Sequence, residues 1–327
     1  MKLLEVENLY VTIDTLDGPL QIIKGIDFSI DKGERLGIVG ESGCGKSITS
    51  LAIMALLPPR SKVKGQILLN GENINLFNQD QMCRIRGNKI GMIFQEPMTA
   101  LNPVKTIGAQ IAESLILHRK MKKRQIRQEV EKLLESVDMP VERFGLNLYP
   151  HQLSGGQRQR VMIAMAIACK PDILIADEPT TALDVTVQQQ ILELIKGLAV
   201  KFDMSLIMIS HDLGVIAQTT QKVMIMYAGK VMEQGETSQV FKHMCHPYTQ
   251  GLFAAIPKPG SSKLNGKKRL STIPGSVPDP KSIIKGCIFA PRCSFADDIC
   301  LKTEPGQSDI IPGHHIQCFH PIMKEQK

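Results

Sequence analysis

The stretch GESGCGKS, Gly40 to Ser47, constrains this chain more than any other eight residues. It fits G-x-x-x-x-G-K-[ST], follows the apolar run Arg35 to Val39 that reads as a buried strand, and opens a helical segment expected from Lys46 to about Leu57, stopped by Pro58-Pro59. Glycines at such a strand-to-helix turn let consecutive backbone N–H groups point inward, where unsatisfied donors and the helix dipole favour phosphate. Gly40, Ser42, Gly43, Cys44, Gly45 and Lys46 are therefore the expected cradle of a nucleotide's phosphates. Lys46 is placed to reach the β and γ phosphates and Ser47 to ligate Mg²⁺.

That Mg²⁺ needs an acidic partner at a strand end, and an attacking water needs a base beside it. ILIADEP, Ile173 to Pro179, supplies both: Asp177 for the metal and Glu178 as the general base. An ordinary acidic pair closing a strand is the bland alternative, and the phosphate loop upstream outweighs it.

Around these motifs the chain alternates strand and helix. Ile26, Phe28 and Ile30 alternate with Asp27, Ser29 and Asp31, which predicts a half-buried strand ended by Lys32-Gly33. Asp172 to Asp177, Ser205 to Ser210 and Lys222 to Tyr227 are apolar runs typical of central parallel strands. Val187, Ile191, Leu194, Ile195 and Leu198 form one face of an intervening helix. The fold class is α/β. Residues 98–165 interrupt the alternation as an inserted helical region, and Ile256 to Gly286 shifts to a Pro- and Gly-rich linker composition.

Composition excludes several classes. The longest apolar run, Val161 to Cys169, is about half of a bilayer span, and Glu5, Glu7 and Asp14 interrupt what would be a signal peptide. A cytosolic chain is expected. The formal charge of +7 is concentrated in Arg119, Lys120, Lys122, Lys123, Arg124 and Arg127 and in Lys267, Lys268 and Arg269. A polyanion or an anionic membrane surface is one reading of these runs; no aromatic residues interleave as base stacking would require, so a solvated helix face is the expected one.

LSGGQRQRV (Leu153 to Val161), FQEP (Phe94 to Pro97), TALD (Thr181 to Asp184) and SHD (Ser210 to Asp212), in order with the two motifs above, resemble the nucleotide-binding subunit of ABC transporters. The resemblance implies a P-loop NTPase, RecA-like core over residues 1–235, with an antiparallel β subdomain and an α-helical subdomain at 98–165. It implies that Ser154, Gly155, Gly156 and Gln157 contact ATP held by a second subunit, and that Asp184 works across the dimer interface. Gln95 would sense the γ-phosphate and Mg²⁺, and His211 would hold the γ-phosphate and order the attacking water. The family's adenine-stacking aromatic is replaced by Ile13, with Tyr10 on the opposite face of the strand. A chromosome-type ATPase would carry a long coiled coil where only about a hundred residues separate Lys46 from Ser154, and a translation-type factor would carry two cassettes.

YPHQLSGG (Tyr149 to Gly156), HPYTQGL (His246 to Leu252), IMYAGKVMEQG (Ile225 to Gly235) and a terminal cysteine cluster resemble the dipeptide/oligopeptide (peptide/nickel) import family over nearly the whole chain. The implied partners are a second, related ATPase subunit, two transmembrane permease subunits and, through them, an external peptide-binding protein. The implied location is the cytoplasmic face of the membrane; nickel import is the runner-up, and a soluble ATPase acting on nucleic acid a remote third. Residues 236–286 read as a linker or extension and 287–327 as a cysteine-rich module.

Cys287, Cys293, Cys300 and Cys318 follow C-x₅-C-x₆-C-x₁₇-C in a segment with few apolar residues. Disulfides do not suit the cytosol, and the C-x₂-C pairs of zinc ribbons are absent. Zinc or bare thiols remain open, but four thiolates also suit a [4Fe–4S] cube, which the resemblance implies. The remaining cysteines, Cys44, Cys83, Cys169 and Cys245, read as small reduced side chains.

Overall fold

The computed structural model describes residues 2–181, 183–256, 272–282 and 284–322. Its twelve strands are β1 (Lys2–Thr15), β2 (Gly18–Asp31), β3 (Arg35–Val39), β4 (Ser61–Leu69), β5 (Glu72–Asn73), β6 (Ile90–Ile93), β7 (Ile173–Asp177), β8 (Ser205–Ile209), β9 (Lys222–Tyr227), β10 (Lys230–Glu236), β11 (Ser308–Ile311) and β12 (His314–Ile316). The first sheet, in the order β2-β1-β4-β5, is antiparallel. The second runs β11-β12-β10-β9-β3-β8-β7-β6, and β9, β3, β8, β7 and the edge strand β6 are parallel neighbours.

The alternation expected at Ile26, Phe28 and Ile30 is present: all three are buried while Asp27 is exposed. β7 and β8 are buried along their whole length, as strands covered on both faces must be. The helix Val185–Lys201 turns Ile191, Leu192, Ile195 and Leu198 into the core. Residues 98–165 hold the helices Ile107–His118 and Lys123–Ser136 and the start of Gly155–Ile167, packed on one another. The basic side chains from Arg119 to Arg127 are exposed, as a solvated face requires; Lys267, Lys268 and Arg269 lie outside the described residues, as does most of the proline-rich linker.

One boundary differs from expectation. The helix opened by Lys46 ends at Ile53 rather than near Leu57, before the prolines can act. Ala55 enters the left-handed region at φ 49° and the Leu56 amide bonds back to the Leu51 carbonyl, a Schellman-type stop. Arg86 holds the end in place, donating to the carbonyls of Met54 and Ala55 at 2.8 Å each.

The cysteine segment builds on the main body. Cys287, Ile288, Phe289, Ala290 and Cys300 are buried within the larger of the two hydrophobic clusters. β12 pairs with β10, and fully buried Glu233 of β10 meets fully buried His314 of β12 at 2.7 Å. The Glu233 carboxylate also accepts the Cys245 and His246 amides at 2.8 and 3.0 Å, so each of its buried oxygens has a partner. These long-range contacts give a segment with few apolar residues its place.

Candidate active site

The phosphate loop leaves β3 with Gly40 at φ 157°, Gly43 at φ 78° and Gly45 at φ 105°, where Gly45 is the N-cap of the helix Lys46–Ile53. A side chain at Gly40 would strike the Met226 carbonyl and the Cys44 sulfur, so glycine is required there for space as well as conformation. Lys46 is 5% exposed, and its ammonium donates to the Gly40 and Glu41 carbonyls at 2.8 and 3.1 Å. Burial pushes the neighbouring Cys44 thiol up, which keeps it protonated and unreactive despite the nearby Lys46 charge.

Beside the loop, Ser47 Oγ donates to Asp177 Oδ1 at 3.0 Å and Ser50 Oγ to Asp177 Oδ2 at 3.5 Å. Burial, opposed by the Ser47 hydrogen bond, raises the Asp177 pKa. A hydroxyl and a buried carboxylate at the mouth of a phosphate cradle are the oxygen donors that Mg²⁺ prefers.

Glu178 is the meeting point of the remaining candidates. Its Oε2 accepts from Gln95 Nε2 at 3.3 Å and from Thr181 Oγ1 at 3.1 Å, and lies 3.4 Å from His211 Nδ1. Gln95 comes from the loop after β6, Glu178 from the end of β7 and His211 from the end of β8, so three parallel strands deliver one cluster at their C-terminal edge. Glu178 itself sits at φ 45°, held there by a 3.0 Å bond from its amide to the Ile209 carbonyl of β8. Thr181, marked in the sequence only as the first residue of TALD, touches Glu178, and Ser50, which belongs to none of the motifs, touches Asp177.

Ser154 is the N-cap of the helix Gly155–Ile167 and forms a reciprocal box with Gln157 at 2.9 and 3.4 Å. Ser154, Gly155 and Gln157 thus sit on a helix N-terminus suited to an anion. No hydrogen bond among the described residues joins this helix start to Gly40–Ser47. Gly156 faces Val187, where an added Cβ would lie 2.9 Å away. Asp184 is exposed and caps Val185–Lys201 through the Val187 amide at 3.0 Å. In β1, Tyr10, Thr12 and Asp14 line one shallow cavity, and Ile13 falls on the other face.

The four terminal cysteines converge. Cys287, Cys293, Cys300 and Cys318 line one cavity whose walls include His246, Phe289, Phe295 and Phe319. Among the described residues no three of these sulfurs lie mutually within 4.8 Å. Burial raises all four thiols, and Cys318, pushed further by the other three sulfurs, reaches about 11. Burial holds His246 at about 4, so its ring is neutral; Nδ1 accepts the Tyr248 amide at 2.9 Å.

Two known families match parts of the chain. The family described as ABC transporter matches residues 23–181, and the one described as oligopeptide/dipeptide transporter, C-terminal region, matches residues 232–300. The dipeptide transport ATP-binding protein DppD of Bacillus subtilis is 48% identical over 97% of this chain and 94% of its own. The oligopeptide transport ATP-binding protein OppD of Salmonella typhimurium is 46% identical over 98% of this chain and 94% of its own. Among solved structures, the dimeric post-hydrolysis state of the ATP-binding cassette MJ0796, bound to ADP and Pi, superposes with a TM-score of 0.64 at 30% identity, covering 72% of this chain and 98% of that one.

Proposed function

Since this chain belongs to the ABC transporter family of ATP-binding subunits and carries that family's oligopeptide/dipeptide C-terminal region, we propose that it hydrolyses ATP to power peptide uptake across the cytoplasmic membrane. The observation that carries the mechanism is the convergence of Gln95, Thr181 and His211 on Glu178, next to the Ser47–Asp177 pair. Lys46 and the loop amides hold the phosphates. Ser47, Asp177 and, at the γ-phosphate, Gln95 would hold Mg²⁺, which supplies polarisation of the phosphoryl oxygens. Glu178 takes a proton from the attacking water as its oxygen bonds to the γ-phosphorus; the bond to the β–γ bridging oxygen breaks, leaving ADP and phosphate. His211 orients that water. Ile13 gives the adenine an apolar contact in place of a stack.

Ser154, Gly155, Gly156 and Gln157 act on the nucleotide of a second subunit, with Asp184 at the same interface, so each chain completes its partner's site. A related but different chain is the proposed partner. Two transmembrane permeases are the membrane component, fed by an external peptide-binding protein, and this chain sits peripherally on the cytoplasmic face. Among the described residues no helix is long and apolar enough to cross a membrane. The test is ATP-dependent uptake by the reconstituted complex: labelled peptide should accumulate, and accumulation of nickel with no peptide would overturn the cargo.

The cysteine cavity is the proposed seat of a [4Fe–4S] group: four thiols that line one cavity are the donor set such a cluster takes. Cys287, Cys293, Cys300 and Cys318 would hold the cluster. Its contribution would be cross-linking of the segment, since ATP hydrolysis transfers no electrons.

A further inference from the structure

The phosphate loop is gripped from outside by the cysteine segment. Arg292 lies between Cys287 and Cys293, and its guanidinium forms a two-pronged pair with Glu41, the second residue of GESGCGKS: Nη1 to Oε2 at 2.6 Å and Nη2 to Oε1 at 3.1 Å. The Arg292 side chain is 5% exposed and that of Glu41 26%, so the pair is largely shielded from solvent. Arg292 is itself immobilised, donating to the carbonyls of Pro274 and Ile273 at 2.9 and 3.3 Å and to the Tyr227 hydroxyl at 3.3 Å. Its guanidinium also rests 5.6 Å from the Tyr227 ring centre.

A second hold acts on the same residue. The Glu41 amide donates to the Tyr248 hydroxyl at 3.0 Å, and Tyr248 packs against Tyr227 and Phe289 at 4.7 and 5.3 Å between ring centres. Lys46 meanwhile donates to the Gly40 and Glu41 carbonyls, so Glu41, the residue that Arg292 and Tyr248 fix, is one of the two that support the phosphate-binding ammonium. A planar fork bonded at two points sets both the position and the rotation of the carboxylate it holds.

We propose that Arg292 is a positioning residue for the phosphate loop: through Glu41 it sets the loop's first turn, and so makes ATP affinity depend on the cysteine segment. The proposal rests on ATP binding at Gly40–Ser47, and the two are separable by experiment. The full chain is titrated with Mg·ATP, and Kd is measured for the native protein, Arg292→Lys, Glu41→Gln and the double variant, alongside Tm and iron content.

Each single substitution should raise Kd about tenfold, and the double variant should be no worse than either single one, because both remove the same fork. A native chain that binds no ATP would overturn the phosphate-site reading as well. Native binding with Kd unchanged in folded Arg292→Lys and Glu41→Gln, or with losses that add in the double variant, would overturn the positioning role alone. A drop in Tm without a change in Kd would make Arg292 a structural residue and refute the proposal.

Discussion

Ser47 and Asp177, 130 positions apart, meet at 3.0 Å through a hydroxyl-to-carboxylate hydrogen bond at the mouth of the phosphate loop. Burial raises the Asp177 pKa, so its charge costs the folded protein stability that is fully present below the unfolded value and lost as pH rises from there through the raised folded value. Asp177→Asn removes that cost together with a proposed Mg²⁺ ligand. Without nucleotide its Tm should equal or exceed the native value at pH 7, while ATP turnover falls on the order of 10²-fold or more. Calorimetry and steady-state ATPase assays check both; a variant with lower Tm and normal turnover would contradict this.

His211 touches the Glu178 carboxylate but belongs to no buried network, its side chain being 68% exposed. His211→Ala should therefore fold normally and bind ATP with nearly native affinity, yet turn over about 10²-fold more slowly, the usual scale for losing a group that orders a proton transfer. Kinetics of the assembled complex separate kcat from KM; a change confined to KM would reassign His211 to binding.

Ser154 caps its own helix and bonds to no residue of Gly40–Ser47 among the described residues. Ser154→Arg should leave ATP bound by the single chain but stop turnover once the two ATPase subunits are paired, because the bulk falls on the partner's nucleotide. The matching assays are ATP binding by the chain alone and hydrolysis by the pair. Normal hydrolysis would refute the shared site.

For the cysteine cavity, anaerobically purified protein should carry near four irons and four acid-labile sulfides per chain. Cys293→Ala and Cys318→Ala, at the half-buried positions, should lose that iron and lower Tm. Zinc at one per chain, or iron retained in both variants, would contradict the assignment.

What was legible in the sequence is what local pattern encodes. Gly40 to Ser47 and Asp177-Glu178 sit on strand ends, where backbone geometry follows from a few neighbouring residues, and both occupy the places their motifs imply. The resemblance marked Gln95, Glu178 and His211, but their meeting also needs β6 (Ile90–Ile93), four buried residues too short a run to stand out in the sequence. The helix end at Ile53 was hidden because Arg86, more than thirty residues on, caps it. Arg292 and Glu41 are 251 positions apart, and no periodicity marks either as the other's partner. The segment's scarcity of apolar residues suggested isolation; Phe289 instead stacks edge-on to Tyr227 at 5.2 Å and enters the main core.

The most direct test is ATP hydrolysis by the assembled complex carrying Glu178→Gln. Its carboxamide keeps the shape that Gln95, Thr181 and His211 surround but takes up no proton. ATP should remain bound and turnover should fall on the order of 10²-fold or more. Hydrolysis at the native rate would contradict the role of Glu178 as the base and, with it, the mechanism built on this cluster.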